Sequence, residues 1–517
     1  MKTYACVYFG AALIALFVMP LVTRLARAFG IVDDPGVRKV HGASVPRLGG
    51  LPVIVGMMAL TLPVLLVDNT IGQAFREIRT QVIVLLIGGA FMFGVGLIDD
   101  IRGLRARVKL ALQLSAAVTV CALGVRMDSE IMIGWHKVNL GWLAWPITVF
   151  WIVGITNAIN LIDGLDGLAG GISAVTCGVI AVFAMCEGRP VMTVLMLSLL
   201  GGLTGFLFFN FNPAKVFMGD CGTLFVGFML AGSSVVCAAK SATLVGLALP
   251  ALALGLPIFD TLFSIVRRIL ERRSIFSPDR NHIHHRLLKM GLRHGHAVLA
   301  MYLVTLVCAG LGMFMMFSRG GGAIVAFVAV PALLLAVFRV VGAVRLRESL
   351  AILRHNLLTA REAKEDKCHF DHVELQMREA ASFDDWWQSV CAMASRMDFA
   401  WLTLSERNGN GPSDSMVWRR GDQDRPSHRL VKMTVPLDCD GIANWCQIEI
   451  GVRVNGSLES AARRAALFGR LIDEHGLGWL RRSPAAPPQV LETPLFGVLQ
   501  TERRIESPAF GEQAVEA

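Results

Sequence analysis

The polar residues with the most regular spacing lie in the stretch NAINLIDGLDGLAG, residues 157–170. Asn157, Asn160, Asp163 and Asp166 are each three positions apart, so in a helix each shares a face with the next. Two amides and two carboxylates along one line suit a hydrated hard cation together with a sugar or a phosphate. A polar loop between two helices would not need this regularity, so the spacing favours a functional site.

Two further acidic motifs lie at the edges of apolar runs. Asp99 and Asp100 are adjacent, and neighbours on a helix point about 100° apart, so one can face a site while the other holds a base or a loop. Asp220 lies between glycines in KVFMGDCGT, where a lone carboxylate is a candidate Mg²⁺ ligand. Phe217 could stack on a nucleobase or anchor the chain at the membrane interface. The structural alternatives are solvated acids at the first motif and a helix cap at the second.

Histidines and arginines concentrate in a basic segment, where residues 282–296 hold five of the twelve histidines. Its stretch SPDRNHIHHR contains Arg280, His282, His284 and His285. Imidazoles beside arginines form a surface suited to phosphates. The competing interpretation is a zinc site, although no Cys or carboxylate lies at the usual spacing.

The segment after the first apolar run, residues 33–50, mixes basic residues with Gly and Pro turns. Its basic residues include Lys39, His41 and Arg47. Such a loop could close over an anionic ligand or be a generic basic loop, and its composition alone leaves both open.

These motifs need elements that hold them at one edge of a membrane. Of the 517 residues, 54% are hydrophobic and 17% charged, whereas a soluble domain averages about 25% charged. Apolar runs of about 17–25 residues, the length that crosses a bilayer, recur until about residue 341 and exclude an ordinary soluble enzyme. The eleven predicted spans are 4–23, 48–67, 81–98, 110–125, 140–158, 168–186, 191–209, 222–238, 243–263, 298–317 and 321–341.

Lysines and arginines are distributed unevenly between the two sets of loops. The loops that contain the acidic and histidine motifs hold 18, and the opposite loops hold 7. The positive-inside rule then places the motifs in the cytoplasm and the N-terminus in the periplasm. We interpret the net charge of +9 as the excess of basic residues in cytoplasmic loops, and we predict no nucleic-acid partner. Polar chemistry at one mouth of a bundle favours an enzyme with one water-soluble and one lipid substrate over a transporter.

The composition becomes polar beyond the last apolar run. The predicted domains are an integral-membrane domain at 1–341, a charged helical linker at 342–372, an α+β domain at 373–481 and a disordered tail at 482–517. Strand patterns lie near 399–405, 429–436 and 445–454, and helical patterns near 373–396 and 458–474. The predicted fold class is an all-α polytopic membrane protein of about 11 transmembrane helices with a small cytoplasmic α+β C-terminal domain.

In this order, the motifs resemble those of the polyprenyl-phosphate N-acetylhexosamine-1-phosphate transferases over about residues 1–341. Residues 277–285 with 46–50 resemble the branch that starts lipid-linked polysaccharides, closest to the undecaprenyl-phosphate N-acetylglucosamine-1-phosphate transferases. The phospho-N-acetylmuramoyl-pentapeptide translocases of peptidoglycan synthesis come second. A non-catalytic lipid-linked sugar transporter, a CDP-alcohol phosphotransferase and a signalling scaffold fit the motifs less well.

The resemblance implies transfer of N-acetylglucosamine 1-phosphate from a UDP-N-acetyl sugar to undecaprenyl or another polyprenyl phosphate, with release of UMP. It implies dependence on Mg²⁺, for which Mn²⁺ can substitute. The protein would lie in the bacterial inner membrane, with its active site and C-terminal domain in the cytoplasm. A homodimer is left open.

The resemblance also implies roles for individual residues. Catalytic roles fall to Asp99, Asp100, Asp163 and Asp166, metal binding to Asp220 and Asn160, and substrate binding to Asn210, Phe217, Lys39, His41, Arg47, Arg280, His282, His284 and His285. Direct attack by the lipid phosphate, with Asp99 orienting or deprotonating it, is favoured, and a phospho-enzyme on an aspartate is the alternative.

Overall fold

The computed structural model describes residues 2–33, 44–68, 70–127, 130–133, 136–238, 244–271, 273–274, 281–318, 321–342, 346–408, 411–420, 430–437, 445–454 and 457–475. The chain divides into two compact units, Met1–Leu353 and Arg354–Ala517. Each unit has buried apolar clusters of its own.

The first unit is mainly helical in its described part. Its helices are α1 (Lys2–Ala28), α2 (Gly50–Leu66), α3 (Thr70–Glu77), α4 (Arg79–Arg102), α5 (Ala106–Ala122), α6 (Ala144–Ile162), α7 (Leu168–Cys186), α8 (Pro190–Asn210), α9 (Gly219–Ala238), α10 (Leu244–Ala253), α11 (Gly255–Leu270), α12 (Ile283–Lys289), α13 (His294–Phe317) and α14 (Gly321–Val340). The division between the units falls within α15 (Leu346–Glu379). Helices satisfy their backbone hydrogen bonds internally, which a bilayer requires.

Seven helices within the described residues are long and apolar enough to cross a membrane, or eight spans if the bent pair α2 and α3 forms one. The chain is thus a multi-pass membrane protein, but the predicted number of eleven spans is not confirmed. Predicted span 110–125 is the 17-residue α5, and 243–263 divides near Leu254 into α10 and α11. The apolar part of α14 is Ile324–Val340. The orientation stays a prediction.

Helix α9 lies inside the first unit. It packs mainly against α4 and α6, and every residue from Cys221 to Ala238 is buried. Phe225 and Phe228 fill the space between α9 and its neighbours. Because Asp220 belongs to the first turn of α9, this packing determines where its carboxylate lies.

Two pairs of short antiparallel strands make the first unit less purely helical than predicted. β1 (Val32–Asp33) pairs with β2 (Val45–Pro46), and β3 (Glu130–Ile133) pairs with β4 (His136–Asn139). Phe217 N also donates to Pro46 O at 2.8 Å, and Gly49 N donates to Phe217 O at 2.9 Å. The strands form because loop peptide groups that leave a helix still need hydrogen-bond partners.

The second unit combines one sheet with two further helices. The helices are α16 (Phe383–Arg396) and α17 (Leu458–His475), and the strands are β5 (Phe399–Asn408), β6 (Gly411–Arg419), β7 (Leu430–Leu437) and β8 (Trp445–Arg453). The strand order is β6-β5-β8-β7, and all pairs are antiparallel. Trp386, Phe399 and Phe468 are fully buried in its core.

The strand predictions for β5, β7 and β8 and the helix prediction for α17 are confirmed. Strand β6 was missed because it begins with Gly, Pro, Ser and Asp, which are uncommon in strands. The pattern over 373–396 contains a helix end at Glu379 and a new start, where Ser382 and Asp385 form a capping box. The predicted tail at 482–517 lies outside the described residues.

Candidate active site

Lys109 on α5 joins two acidic side chains from different helices. Its Nζ atom lies 2.6 Å from Asp99 Oδ2 on α4 and 3.1 Å from Asp220 Oδ2 on α9. The side chains of Lys109 and Asp99 are only 17% and 8% exposed, so water screens these charges incompletely. An ammonium group between two carboxylates marks a place where the fold favours positive charge.

Asn160 on α6 contacts the same acid from the other side. Its Nδ2 donates to Asp220 Oδ1 and, at 2.8 Å, to Thr223 Oγ1. Both carboxylate oxygens of Asp220 therefore have a polar partner. We name this group the carboxylate cluster; it consists of Asp99, Asp100, Lys109, Asn160 and Asp220.

The two adjacent acids of α4 have different contacts. Asp99 faces Lys109, and its Oδ1 accepts a hydrogen bond from Leu104 N at 2.6 Å. Asp100 accepts from the backbone N–H groups of Asp220 and Cys221, both at 2.9 Å. The first N–H groups of a helix have no partner within it and carry partial positive charge. Asp100 therefore caps α9 and positions Asp220.

Close backbone packing brings α4 to the start of α9. A Cβ atom at Gly96 would lie 2.3 Å from Asp220 O, so only glycine permits this approach. Asp99 and Asp100 follow Gly96 by three and four positions and therefore lie on the same side of α4. The sequence GLIDD thus supplies both the helix contact and the two acids.

Residues 163–167, which we call the connecting loop, link α6 to α7. Asp166 Oδ2 accepts hydrogen bonds from Asn212 Nδ2 at 2.8 Å and from Ala214 N at 3.0 Å. Its carboxylate is therefore used, at least in part, to join two loops.

Two residues of α13 hold the connecting loop from the opposite side. His294 Nε2 accepts a hydrogen bond from Asp166 N at 2.9 Å. Tyr302 donates its hydroxyl hydrogen to Gly167 O. Together they determine the backbone path of the loop that carries both Asp163 and Asp166.

Asp163 lies at the end of α6, outside the membrane-spanning segments. Burial raises its pKa from 3.8 to about 7, and the charges of Asp220, Asp100 and Asp166 act in the same direction. The connecting loop therefore shares the negative potential of the carboxylate cluster. A bound cation would relieve this repulsion.

His282, His284 and His285 form a second group, the histidine cluster, at the start of α12. The rings of His282 and His284 are stacked, with centroids 5.7 Å apart and planes at 4°. The centroids of His284 and His285 are 4.3 Å apart. The ring of His284 thus contacts the rings of both other predicted residues.

His284 joins the histidine cluster to the connecting loop. It is 2% exposed, and a Cβ atom at Gly164 would lie 2.3 Å from His284 Nε2. Burial, together with the charge of His285, lowers the pKa of His284 from 6.5 to about 3. A ring that is neutral at physiological pH thus packs against a glycine of the acidic loop.

The other predicted substrate-binding residues have varied surroundings. Arg47 forms an ion pair with Asp33. The side-chain amide of Asn210 is buried and joins two loops, because it accepts from Gly167 N at 2.9 Å and donates to Val216 O at 2.8 Å. Lys39, His41 and Arg280 lie outside the described residues. The substrate contacts of all these residues, and of Phe217, stay predictions.

Sequence reasoning missed four polar residues that hold the site: Lys109, Asp260, His294 and Tyr302. None of them belongs to the acidic motifs or to the SPDRNHIHHR stretch. For Asp260 the signal was a lone acid within the predicted span 243–263, since such a residue is costly without a partner. Lys109 gave no such signal, because it ends a basic segment that also holds three arginines.

The donor set at the carboxylate cluster fits Mg²⁺, which prefers oxygen ligands and usually takes one or two protein carboxylates with water and phosphate oxygens. Asp220 and Asp99 supply carboxylate oxygens to one ammonium group. Among the described residues, three metal-ligand atoms come within 4.8 Å of one another only at Glu374, Glu474 and His475, in the second unit. The carboxylate cluster thus resembles a site at which substrate oxygens would complete the coordination of an ion, rather than a site closed by protein ligands alone.

Comparison with known proteins identifies a matching family and several relatives. The family model named glycosyl transferase family 4 matches residues 82–238. A protein of Bacillus subtilis (strain 168) named "probable undecaprenyl-phosphate N-acetylglucosaminyl 1-phosphate transferase" is 42% identical over 293 residues, which cover 56% of this chain and 79% of the relative. The chain belongs to glycosyl transferase family 4.

Two further relatives extend this result. A "decaprenyl-phosphate N-acetylglucosaminephosphotransferase" of Mycobacterium tuberculosis (strain ATCC 25618 / H37Rv) is 35% identical over 346 residues, 62% of this chain and 84% of the relative. An "undecaprenyl-phosphate alpha-N-acetylglucosaminyl 1-phosphate transferase" of Escherichia coli (strain K12) is 25% identical over 302 residues, 57% and 79% of the two chains. The predicted family resemblance is confirmed. In this family 4 member, the matched segment contains the carboxylate cluster and the connecting loop, and the histidine cluster follows it.

Proposed function

We propose that this protein transfers N-acetylglucosamine 1-phosphate from UDP-N-acetylglucosamine to a polyprenyl phosphate, releasing UMP. The observation that carries the proposal is Lys109 between Asp99 and Asp220, at the start of a buried helix of a membrane bundle. Such a place favours cations, and both substrates are anions that must be brought together. The names of the relatives specify the sugar and the lipid class.

Asp220, with Asn160 beside it, would hold a Mg²⁺ ion. When bound, the ion supplies positive charge that offsets the charge of the diphosphate. Lys109 provides a second positive charge close by, and Asp100 keeps Asp220 in place through the start of α9.

In the proposed reaction, an oxygen of the lipid phosphate attacks the β-phosphorus of the nucleotide sugar. The bond from the β-phosphorus to the oxygen that bridges the two phosphates breaks, and UMP leaves with that oxygen. Asp99 would orient the lipid phosphate or accept its proton. Positioning and electrostatics provide most of the rate enhancement in phosphoryl transfer, which agrees with a site made of charges on rigid helices.

The basic loops support a location in the bacterial inner membrane with the site at the cytoplasmic face. There the product would begin a lipid-linked cell-surface polysaccharide. The donor is water-soluble, whereas the acceptor stays in the bilayer.

The test is UMP release by the purified full-length protein in detergent with undecaprenyl phosphate and Mg²⁺. Three donors are compared: UDP-N-acetylglucosamine, UDP-N-acetylgalactosamine and UDP-N-acetylmuramoyl-pentapeptide. We expect release from the first donor that requires the lipid and stops when EDTA removes the metal. Release from the muramoyl donor alone would indicate a translocase. No UMP release from any of the three donors, with folded protein, would overturn the proposal.

A further inference from the structure

Asp260 is an acidic residue buried in helix α11. It is 4% exposed and lies in the sequence GLPIFDTLFSIV. A carboxylate in such surroundings is costly unless other groups hydrogen-bond to it. Its partners therefore indicate what it does.

Both oxygens of Asp260 contact the start of α12. Oδ1 accepts a hydrogen bond from Ile283 N at 2.9 Å, and Oδ2 lies 2.9 Å from His282 Nδ1. Ser264 Oγ is a weaker neighbour of the same nitrogen, at 3.4 Å. One carboxylate thus caps a short helix and fixes the ring of its N-cap residue.

The contact also determines where the imidazole carries its proton. An ionised carboxylate only accepts hydrogen bonds, so Nδ1 of His282 must carry a hydrogen. Nε2 is then the ring nitrogen without a hydrogen, so it can accept a hydrogen bond. His282 stacks on His284, which packs against Gly164 of the connecting loop, so one imidazole ring separates His282 from that loop.

We infer that Asp260 is a positioning residue that fixes the tautomer and orientation of His282 so that Nε2, which carries no hydrogen in this tautomer, accepts a hydrogen bond from a substrate hydroxyl group. This inference rests on the proposed function for its substrate. The hydroxyl could belong to the nucleotide sugar or to the monoprotonated phosphate of the lipid, and the KM values for the two substrates distinguish these sources.

The first test is Asp260→Asn. The amide oxygen can still accept from Ile283 N, but the amide nitrogen would donate to Nδ1 and move the ring hydrogen to Nε2. We expect UMP release to fall on the order of 100-fold, as when a group that orients a functional histidine is altered. The exposed Asp68→Asn is the matched control and should stay near wild type.

A double-mutant cycle separates positioning from a purely structural role. In a His282→Asn background, Asp260→Asn should cause no further loss of activity. A further loss as large as in wild type would mean that Asp260 acts only by holding α12, and would overturn the inference.

Nitrogen-15 NMR of histidine-labelled protein gives a readout that needs no activity. The His282 signal, assigned by its absence in His282→Asn, should show a proton on Nδ1 in wild type and lose it in Asp260→Asn. If wild type released no UMP but showed this change, the proposed function would fail while Asp260 still set the tautomer. An unprotonated Nδ1 in wild type would refute the inference, even if Asp260→Asn did not fold.

Discussion

The carboxylate cluster and the histidine cluster are built in different ways. In the first, acids on α4 and α9 meet around one lysine from α5, and the Asp220 side chain is 31% exposed. In the second, His282 and His284 are stacked, 5% and 2% exposed, and one buried acid fixes the first ring. The first arrangement allows one cation to replace another, whereas the second keeps its rings in a single position.

This difference suggests a division of tasks between the two clusters. A site that binds an ion for each turnover needs accessible carboxylate oxygens and a side-chain cation, such as that of Lys109, that can move aside. A surface that recognises a substrate needs hydrogen-bonding groups whose directions are already fixed, because preorganised groups lose little on binding. The predictions below test this division.

The largest effect is expected for Asp220→Asn. If the carboxylate cluster binds the ion, loss of this charge should lower kcat about 1,000-fold while the protein still inserts and folds. UMP release and thermal unfolding in detergent are the measurements, with Asp68→Asn as the matched control because its acid is exposed. Activity within tenfold of wild type would show that Asp220 does not bind the ion.

The next effect concerns the lysine that occupies the carboxylate cluster. Lys109→Met leaves Asp99 and Asp220 together without their shared cation, so the free energy of unfolding without Mg²⁺ should fall by about 2 kcal/mol. Added Mg²⁺ should recover more stability in this variant than in wild type. Thermal unfolding with and without Mg²⁺ checks both statements.

The control for that experiment is Arg76→Met, which breaks an exposed ion pair with Asp68. Exposed pairs contribute at most about 1 kcal/mol, so its stability should barely change, and Mg²⁺ should affect it as it affects wild type. Equal responses of Lys109→Met and Arg76→Met would contradict a cation site at Lys109.

The connecting loop and the histidine cluster should have opposite pH dependences of stability. Asp163 has its pKa raised from 3.8 to about 7, so the folded state binds more protons in that range and stability falls as pH rises. His284 has its pKa lowered from 6.5 to about 3, so the unfolded state binds more protons and stability rises with pH. Each slope is at most about 1.4 kcal/mol per pH unit.

These slopes are measurable by thermal unfolding between pH 4 and pH 7 without Mg²⁺, a window chosen from the two pKa values. Asp163→Asn should leave a net rise of stability with pH, and His284→Asn a net fall. Identical profiles for the two variants would show that neither shift is present.

The smallest effect is expected for Tyr302, which supports the connecting loop. Tyr302→Phe removes one hydrogen bond to Gly167 O, which contributes about 1 kcal/mol. The value of kcat/KM should fall about fivefold through misplacement of the connecting loop. Tyr8→Phe, which removes an exposed hydroxyl contact with Thr204, is the control and should not change activity.

The sequence was most informative where chemistry and spacing coincide. Asp99, Asp100, Asn160 and Asp220 were singled out from their motifs, and the structure brings them together at α4, α6 and α9. The different contacts of Asp99 and Asp100 follow from the angle between neighbours on a helix. Periodicity also located three of the four strands of the second unit.

The residues that hold the site were harder to predict because their partners are distant in sequence. Lys109 reaches an acid 111 positions away, and His294 reaches the connecting loop across 128 positions. Asp260 lies within an apolar run that reads only as a membrane span. The division of that run into α10 and α11 likewise has no strong sequence signal, since its residues stay apolar across the break.

The complete burial of α9 separates the candidate ion ligand from the lipid. Over its membrane-length window α9 is 100% buried, compared with 28% for α1. Helices that touch lipid respond to bilayer thickness by tilting or by local deformation of the membrane. A change of thickness therefore reaches Asp220 only through the helices packed around α9, so the centre of the site is mechanically insulated from the membrane in which its acceptor dissolves.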